Sequence, residues 1–254
     1  LYYQQDTHWN QRGALIAYNA IMERIMNGAA YETYSDTVPH DETGYYGDLH
    51  NFVLPAERSS LPYPEYGIKA DYTPDDGVRM ERDINFGTSS GKNADKSLLL
   101  YRDSFGEALI PLLSTNVGRV VYSQEFPYNL ELKEESCGII MIELVERNIP
   151  NLLSAAPLMC AAEKQLPDSA ARVDFTSSVQ RKSGLMQLYG SIAARPAAER
   201  IYVEVICTDG TTRIYEAFPV NDAYAAEPAW ENASGYMLTL PKGTEGEVSG
   251  VYIG

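Results

Sequence analysis

Two short runs in this chain carry the groups that an activated serine needs. Asp6-Thr7-His8-Trp9 lies near the start, and Arg102-Asp103-Ser104-Phe105-Gly106 follows a strand-like run far downstream. A serine alcohol is a weak nucleophile at neutral pH unless a base takes its proton as it attacks. Histidine suits the task because its free pKa lies close to the working pH, and a carboxylate behind the ring fixes its tautomer and stabilises the imidazolium. The chain has only 3 histidines, and His8 sits two positions from Asp6. On an extended segment those two side chains share one side, so the carboxylate reaches the ring. Ser104 stands where a strand hands over to a helix. The turn exposes its oxygen, and the helix start offers backbone N–H groups to an oxyanion. Each run taken alone has an ordinary explanation: Asp103 or Ser104 as a helix cap, Asp6 and His8 as surface residues. Both in one chain make the stronger case.

His40 and His50 are the rival bases. His50 is the better one, in Gly44-Tyr45-Tyr46-Gly47-Asp48-Leu49-His50-Asn51-Phe52, where the Gly47 backbone N–H and the Asn51 side chain would serve as oxyanion donors. A glycine-containing loop with a capping aspartate explains the same residues. Trp9 is assigned with Gly47 and Asn51 to substrate binding. Asp6, His8, Asp48 and His50 form two D-x-H pairs, but nothing completes a zinc set, so no metal and no cofactor are expected.

The elements that must position these groups are partly legible. A helix is expected from about Asn10 to Met26, with Asn10 as cap, Ala14, Ala17, Tyr18, Ile21 and Ile25 on one face, and Asn27-Gly28 closing it. Residues 31–95 are rich in Tyr, Pro, Gly and Asp; only Leu49–Leu54 and Gly67–Tyr72 look ordered, the latter as a strand. So long an irregular region suits a lid or rim over a site. Ser97–Tyr101 is a continuous apolar run of the buried parallel type. Phe105–Leu113 reads as a helix kinked at Pro111, with strands at Gly118–Tyr122 and Gly138–Val145 after it. That alternation is the grammar of a parallel α/β sheet. Six short strands follow, at Arg172–Thr176, Leu185–Ile192, Ile201–Thr208, Thr212–Pro219, Tyr236–Pro241 and Glu247–Ile253, with Thr208-Asp209-Gly210-Thr211 as a hairpin turn. They read as a β-sandwich. The expected division is an α/β domain over 1–165 and a β module over 166–254.

At 254 residues either unit can bury a core. A net charge of −15 repels phosphate backbones, and Arg79, Arg82 and Lys92 are interleaved with acids, so nucleic acid is excluded as a partner. The same field favours neutral sugars or a cationic acyl group. The 19 tyrosines lean toward wet, carbohydrate-facing or extracellular surfaces. Cys137, Cys160 and Cys207 lack C-x-x-C spacing and read as buried free thiols with at most one disulfide. No signal peptide or membrane span is recognisable. The start at Leu1-Tyr2-Tyr3 reads as the middle of a longer protein, so any membrane association is expected only through a segment outside this chain.

Leu1-Tyr2-Tyr3, Asp6-Thr7-His8-Trp9-Asn10, Gly13-Ala14 and Tyr18 together resemble the signature of the DHHW proteins, relatives of the alginate O-acetylation proteins within the SGNH-hydrolase-like superfamily. In that family Asp and His come first and the serine follows in a K/G-D-S-[FY] turn, the order found here. Ile142-Glu143-Leu144-Val145-Glu146-Arg147 is similar to the family's last core strand. The resemblance spans about residues 1–155. It implies a three-layer parallel sheet, incomplete at its N-terminus, with Ser104 as nucleophile, His8 as base and Asp6 as orienting acid. It also implies acyl transfer or ester hydrolysis on O-acetyl groups of a cell-surface or secreted polysaccharide, outside the cytoplasm. A polysaccharide or an acyl-donor protein would be the partner. Arg102 departs from the glycine of some relatives, and sheet and helix normally precede the D-x-H motif. The C-terminal module stands where the alginate relatives carry a carbohydrate-binding module; Trp230, Tyr202, Tyr215 and Tyr236 are its candidate stacking residues, core packing being the expected job of most. The alternative is a non-catalytic glycan-binding or scaffold protein that keeps the fold, with metal-dependent hydrolysis a third reading.

Overall fold

The Asn10 side chain accepts from the Gly13 amide at 3.2 Å and so starts helix α1, Gln11–Met26. Asn27, in the left-handed conformation at φ 48°, ends it. Ala14, Tyr18 and Ile25 are buried, with Ala17 and Ile21 packed alongside, as the spacing predicts. The structure, a computed structural model, describes residues 1–34, 37–56, 61–78, 83–153, 157–193, 200–220 and 234–254. Its chain divides into two compact units, residues 1–125 with 132–146, and residues 126–131 with 147–254.

In the first unit, β1 (His40–Glu42) pairs with β2 (Tyr63–Glu65), and α2 (Asp48–Val53) lies between them in sequence. A separate five-stranded sheet is built from β3 (Thr73–Pro74), β4 (Asn85–Ser89), β5 (Ser97–Tyr101), β6 (Arg119–Ser123) and β7 (Ile139–Ile142), in the order β3-β4-β6-β5-β7. The three strands expected to be parallel are parallel: β5 pairs that way with β6 and with β7. However, β4 joins β6 and β3 joins β4 antiparallel, so the sheet is mixed rather than wholly parallel. The β4 strand, Asn-Phe-Gly-Thr-Ser, was hidden in the polar composition of 31–95; Gly67–Tyr72 links β2 to β3 instead of forming a strand.

A short 3-10 helix (Phe105–Leu109) leads into α3 (Ile110–Asn116), with Pro111 in its first turn, where the missing N–H costs nothing. Together α1 and α3 share one core with Phe86, Leu98, Leu100, Val120 and Tyr122. Because strand side chains alternate, Leu98 and Leu100 face these helices, and fully buried Leu99 and Tyr101 point the other way. Helices α1 and α3 thus pack on one face of the sheet; the second helical layer of the three-layer arrangement expected is not seen among the described residues.

In the second unit, β8 (Ala171–Val173), β9 (Ser178–Lys182), β10 (Leu185–Ile192), β11 (Ile201–Cys207), β12 (Thr212–Val220), β13 (Ser234–Thr239) and β14 (Gly246–Ile253) form one antiparallel sheet in the order β8-β14-β11-β12-β13-β10-β9. The β12 strand is its corner: Thr212–Ala217 pair with β11, and Phe218–Val220 with β13. The sheet therefore curls around a single core that includes Leu188, Val203, Tyr215, Leu238 and Val251, in place of the two-sheet sandwich expected. Tyr215 and Tyr236 are buried in it, Tyr202 is buried outside it, and none offers a face to a sugar; Trp230 lies outside the described residues. All three cysteines are free thiols, and only Cys207 is buried.

Candidate active site

The D-x-H motif is a tight turn, not an extended segment. The Tyr3 amide donates to the His8 carbonyl at 3.2 Å, and Asn10 donates to the Leu1 carbonyl at 2.9 Å, so Asp6 and Thr7 lie at the tip. An aspartate in such a turn bonds the backbone two residues on. Asp6 Oδ1 accepts from the His8 amide at 2.7 Å, and it also lies 2.7 Å from His8 Nδ1. With Nδ1 donating to the carboxylate, Nε2 is left as an acceptor, and it lies 2.8 Å from Ser104 Oγ. The three side chains singled out from the sequence therefore converge, in order and at hydrogen-bond distance. Asp6 is buried, the His8 side chain is 28% exposed and Ser104 faces solvent.

Two residues hold the acid: Asp48, weighed from the sequence only as a cap or a metal ligand, and Tyr45, given no role there. The Asp48 amide and the Tyr45 hydroxyl each donate to Asp6 Oδ2 at 2.8 Å. Burial by itself would raise the Asp6 carboxyl, but the amides of Asp48 and His8, the Tyr45 hydroxyl and the His8 ring hold it below its ordinary value. The Asp48 carboxylate accepts in turn from the Thr7 amide at 2.8 Å and from the Thr7 hydroxyl. Both residues belong to the segment that drew attention for Gly47, His50 and Asn51, and an acid in the first turn of α2 was the available signal.

Those other members have different tasks. Gly47 lies behind Asp6: a Cβ there would sit 1.8 Å from the Gln5 carbonyl oxygen and 2.9 Å from the Asp6 amide nitrogen. The missing Cβ is what permits this close backbone approach. The Asn51 amide is exposed and donates to the Tyr46 carbonyl at 3.4 Å. His50 is buried, with its backbone N–H on the Gln5 carbonyl at 3.3 Å, and exposed His40 pairs with Glu42 at 3.0 Å. It is His8 that meets the serine. Trp9 donates its indole N–H to the Phe105 carbonyl at 2.8 Å and rests edge-on against the Phe105 ring; it ties the D-x-H turn to the serine turn.

Ser104 ends the loop after β5, at the carboxyl edge of the sheet. Capping falls to its neighbour: Asp103 Oδ1 accepts from the Phe105 amide at 2.9 Å, while the Ser104 side chain makes no capping bond. That leaves Oγ free for His8. Asp103 Oδ2 accepts from the Val145 amide at 2.8 Å, and Glu143 accepts from the Asp103 amide at 3.2 Å. Of the backbone N–H groups at the helix start, expected to face an oxyanion, that of Phe105 is thus taken by a carboxylate. Arg102, at the position that departs from glycine, is buried and donates to the Asp103 carbonyl at 3.1 Å.

Asp6, His8 and Asp48 are the described residues whose ligand atoms cluster within 4.8 Å and could hold a cation. His50 is not among them. Both ring nitrogens of His8 already have partners, Asp6 and Ser104, so a metal there would displace one of them. Among the described residues no helix is long and apolar enough to cross a membrane.

Residues 1–93 match the family model described as SGNH hydrolase-like domain, acetyltransferase AlgX. Curated proteins give no match. Among solved structures, a DHHW family protein from Eubacterium siraeum is similar at 16% identity and TM-score 0.43, over 56% of this chain and 58% of that one. Bacillus cereus PatB1 with a sulfonyl adduct aligns at 15% identity and TM-score 0.41, over 58% and 61%. Pseudomonas aeruginosa AlgX aligns at 11% identity and TM-score 0.33, over 99% and 64%. In each case the chain spans less than two thirds of the other protein's length. Residues 1–93, which hold the motif around His8 but not Ser104, are thus similar to the SGNH hydrolase-like domain of acetyltransferase AlgX.

Proposed function

We propose that this chain is a serine-dependent acyl-transfer enzyme, an O-acetyltransferase or acetylesterase, in which Ser104 is the nucleophile, His8 the general base and Asp6 the orienting acid. The carrying observation is the unbroken series from Asp6 Oδ1 through His8 Nδ1 and Nε2 to Ser104 Oγ, at 2.7 and 2.8 Å. The family match supports O-acetyl chemistry. Ser104 Oγ attacks the acyl carbonyl while His8 Nε2 takes its proton; the Asp6 carboxylate stabilises the imidazolium. His8 then protonates the leaving oxygen, which departs and leaves an acyl ester on Ser104. A sugar hydroxyl or water attacks that ester, giving its proton to His8 and restoring the serine. Which acceptor prevails depends on how well water is excluded at the acyl-enzyme stage.

The polysaccharide substrate, the acyl-donor partner and an extracytoplasmic location belong to the same reading. So does a division of labour between an α/β domain over 1–165 and an accessory module over 166–254. A chromogenic acetyl ester tests the chemistry. Wild type should hydrolyse it, a chelator should leave the rate unchanged, and Ser104→Ala should lower kcat by a factor on the order of 10³ or more. Retained turnover in that variant would sink the proposal. Added soluble polysaccharide that becomes acetylated at the expense of free acetate would assign the transferase.

A further inference from the structure

Ser104 Oγ can face His8 only if the chain on both sides of the serine is fixed. The amide before it, on Asp103, donates to Glu143 Oε2 at 3.2 Å, and Gly106 after it lies against the same carboxylate. Glu143 follows the last residue of β7, and its own amide donates to the Tyr101 carbonyl at the end of β5, at 2.8 Å. Parallel pairing of β5 and β7 thus delivers a carboxylate directly behind the serine turn. We propose that Glu143 is a positioning residue of the nucleophile: by accepting the Asp103 amide and lying against Gly106, on either side of Ser104, it holds that residue at φ −65°, ψ −23° and aims Oγ at His8, without touching the substrate. The inference rests on the acyl-transfer reading of Ser104.

Three further observations fit this role. Gly106 is required at the contact, since a Cβ there would lie 2.8 Å from Glu143 Oε2 and 2.6 Å from the Arg102 Cβ. Glu143 has no side-chain ion pair at salt-bridge distance among the described residues, so the Asp103 amide is the partner that accounts for its placement. Burial, reinforced by Asp103, pushes its carboxyl up to about 7, while the Asp103 amide and Arg102 pull the other way. The charged groups facing it are Asp103 and Arg102 on the turn, with Glu107 on the 3-10 helix acting on Arg102.

The test reads the serine in two ways: turnover of the acetyl ester, and the rate at which phenylmethylsulfonyl fluoride labels Ser104, followed by intact mass. In labelling, the Oγ–S bond forms, fluoride leaves and His8 takes the proton. Glu143→Ala should slow both by about tenfold or more, with KM within about twofold. Glu143→Gln keeps an oxygen acceptor and should return to within about threefold of wild type. Its rate relative to wild type should rise as the pH falls from about 8 to 6, where the wild-type carboxylate takes up a proton. Labelling of folded Glu143→Ala at the wild-type rate would overturn the inference, as would equal impairment of the Ala and Gln variants. Should Glu143→Ala not fold, Gly106→Ala decides: slowed labelling supports the bracing and an unchanged rate overturns it. A wild type that neither turns over ester nor is labelled refutes the acyl-transfer reading itself. Wild-type activity lost in Ser104→Ala leaves only Glu143 in question.

Discussion

The Tyr45 hydroxyl donates to Asp6 Oδ2 at 2.8 Å, the oxygen turned away from His8. Tyr45 also stacks on Tyr3 with ring centroids 4.3 Å apart, so the donor is held by packing as well as by its bond. The acid is thereby fixed from behind while its other oxygen serves the ring. Tyr45→Phe keeps the stack and deletes one hydrogen bond to a charged group, an interaction of roughly 1.5–3 kcal/mol. We expect kcat to fall about tenfold with little change in KM, measured on the acetyl ester.

The same bond carries a pH signature. Asp6 is held below its ordinary value of 3.8 by the folded structure, so its contribution to stability is present above that pH and is lost as the pH falls through the lower folded value. In Tyr45→Phe the folded value moves up and the stabilisation shrinks. Melting temperature measured against pH should therefore separate variant from wild type above about pH 4 and bring them together in stronger acid.

Glu143 has the opposite sign. Its folded value lies near 7 against an ordinary 4.5, so its neutral form favours the fold below the ordinary value, and that advantage is lost as the pH rises through about 7. Glu143→Gln removes the titration. It should match wild type in stability near pH 4 and exceed it near pH 8, by thermal melts at both.

Asp6 and Asp48 both lie near His8 Nδ1, at 2.7 and 3.8 Å. Distance and burial favour Asp6 over Asp48 for the proposed orienting role. Asp6→Asn should lower kcat by a factor on the order of 10³–10⁴, since the ring loses its tautomer control. Asp48→Asn, which keeps the backbone amide on Asp6, should cost less than about tenfold. The reverse ranking in ester kinetics would exchange their roles.

Trp9→Phe distinguishes positioning from substrate binding. Removing the indole N–H frees the Phe105 carbonyl, so a positioning role predicts a kcat loss of a few fold at constant KM. A rise in KM with kcat preserved would return Trp9 to the substrate pocket.

Much of the site was legible because it rests on local chemistry. An aspartate two residues before a histidine, and a serine between a buried apolar strand and a helix, are patterns that short-range geometry nearly dictates. The α1 helix and its Asn10 cap, the β5 run and six of the seven strands in the second unit were visible for the same reason: period, caps and turn residues act within a few positions. The strand β9, Ser-Val-Gln-Arg-Lys, was missed because it is an exposed edge without apolar alternation.

Tertiary structure alone decided what surrounds those motifs. That β4 runs antiparallel, that β12 turns the corner of a curled sheet, and that Tyr45, Asp48 and Glu143 reach the site depend on contacts between distant segments, which no local pattern encodes. The 96 positions between His8 and Ser104 are closed by parallel pairing and helix packing. From the sequence come the identities of the proposed nucleophile, base and acid; from the fold come their distances, and the surroundings of Ser104. Hydrogen bonds are satisfied by whatever the folded chain brings within reach, and here Asp103 took the Phe105 amide at the helix start that the sequence left for an oxyanion.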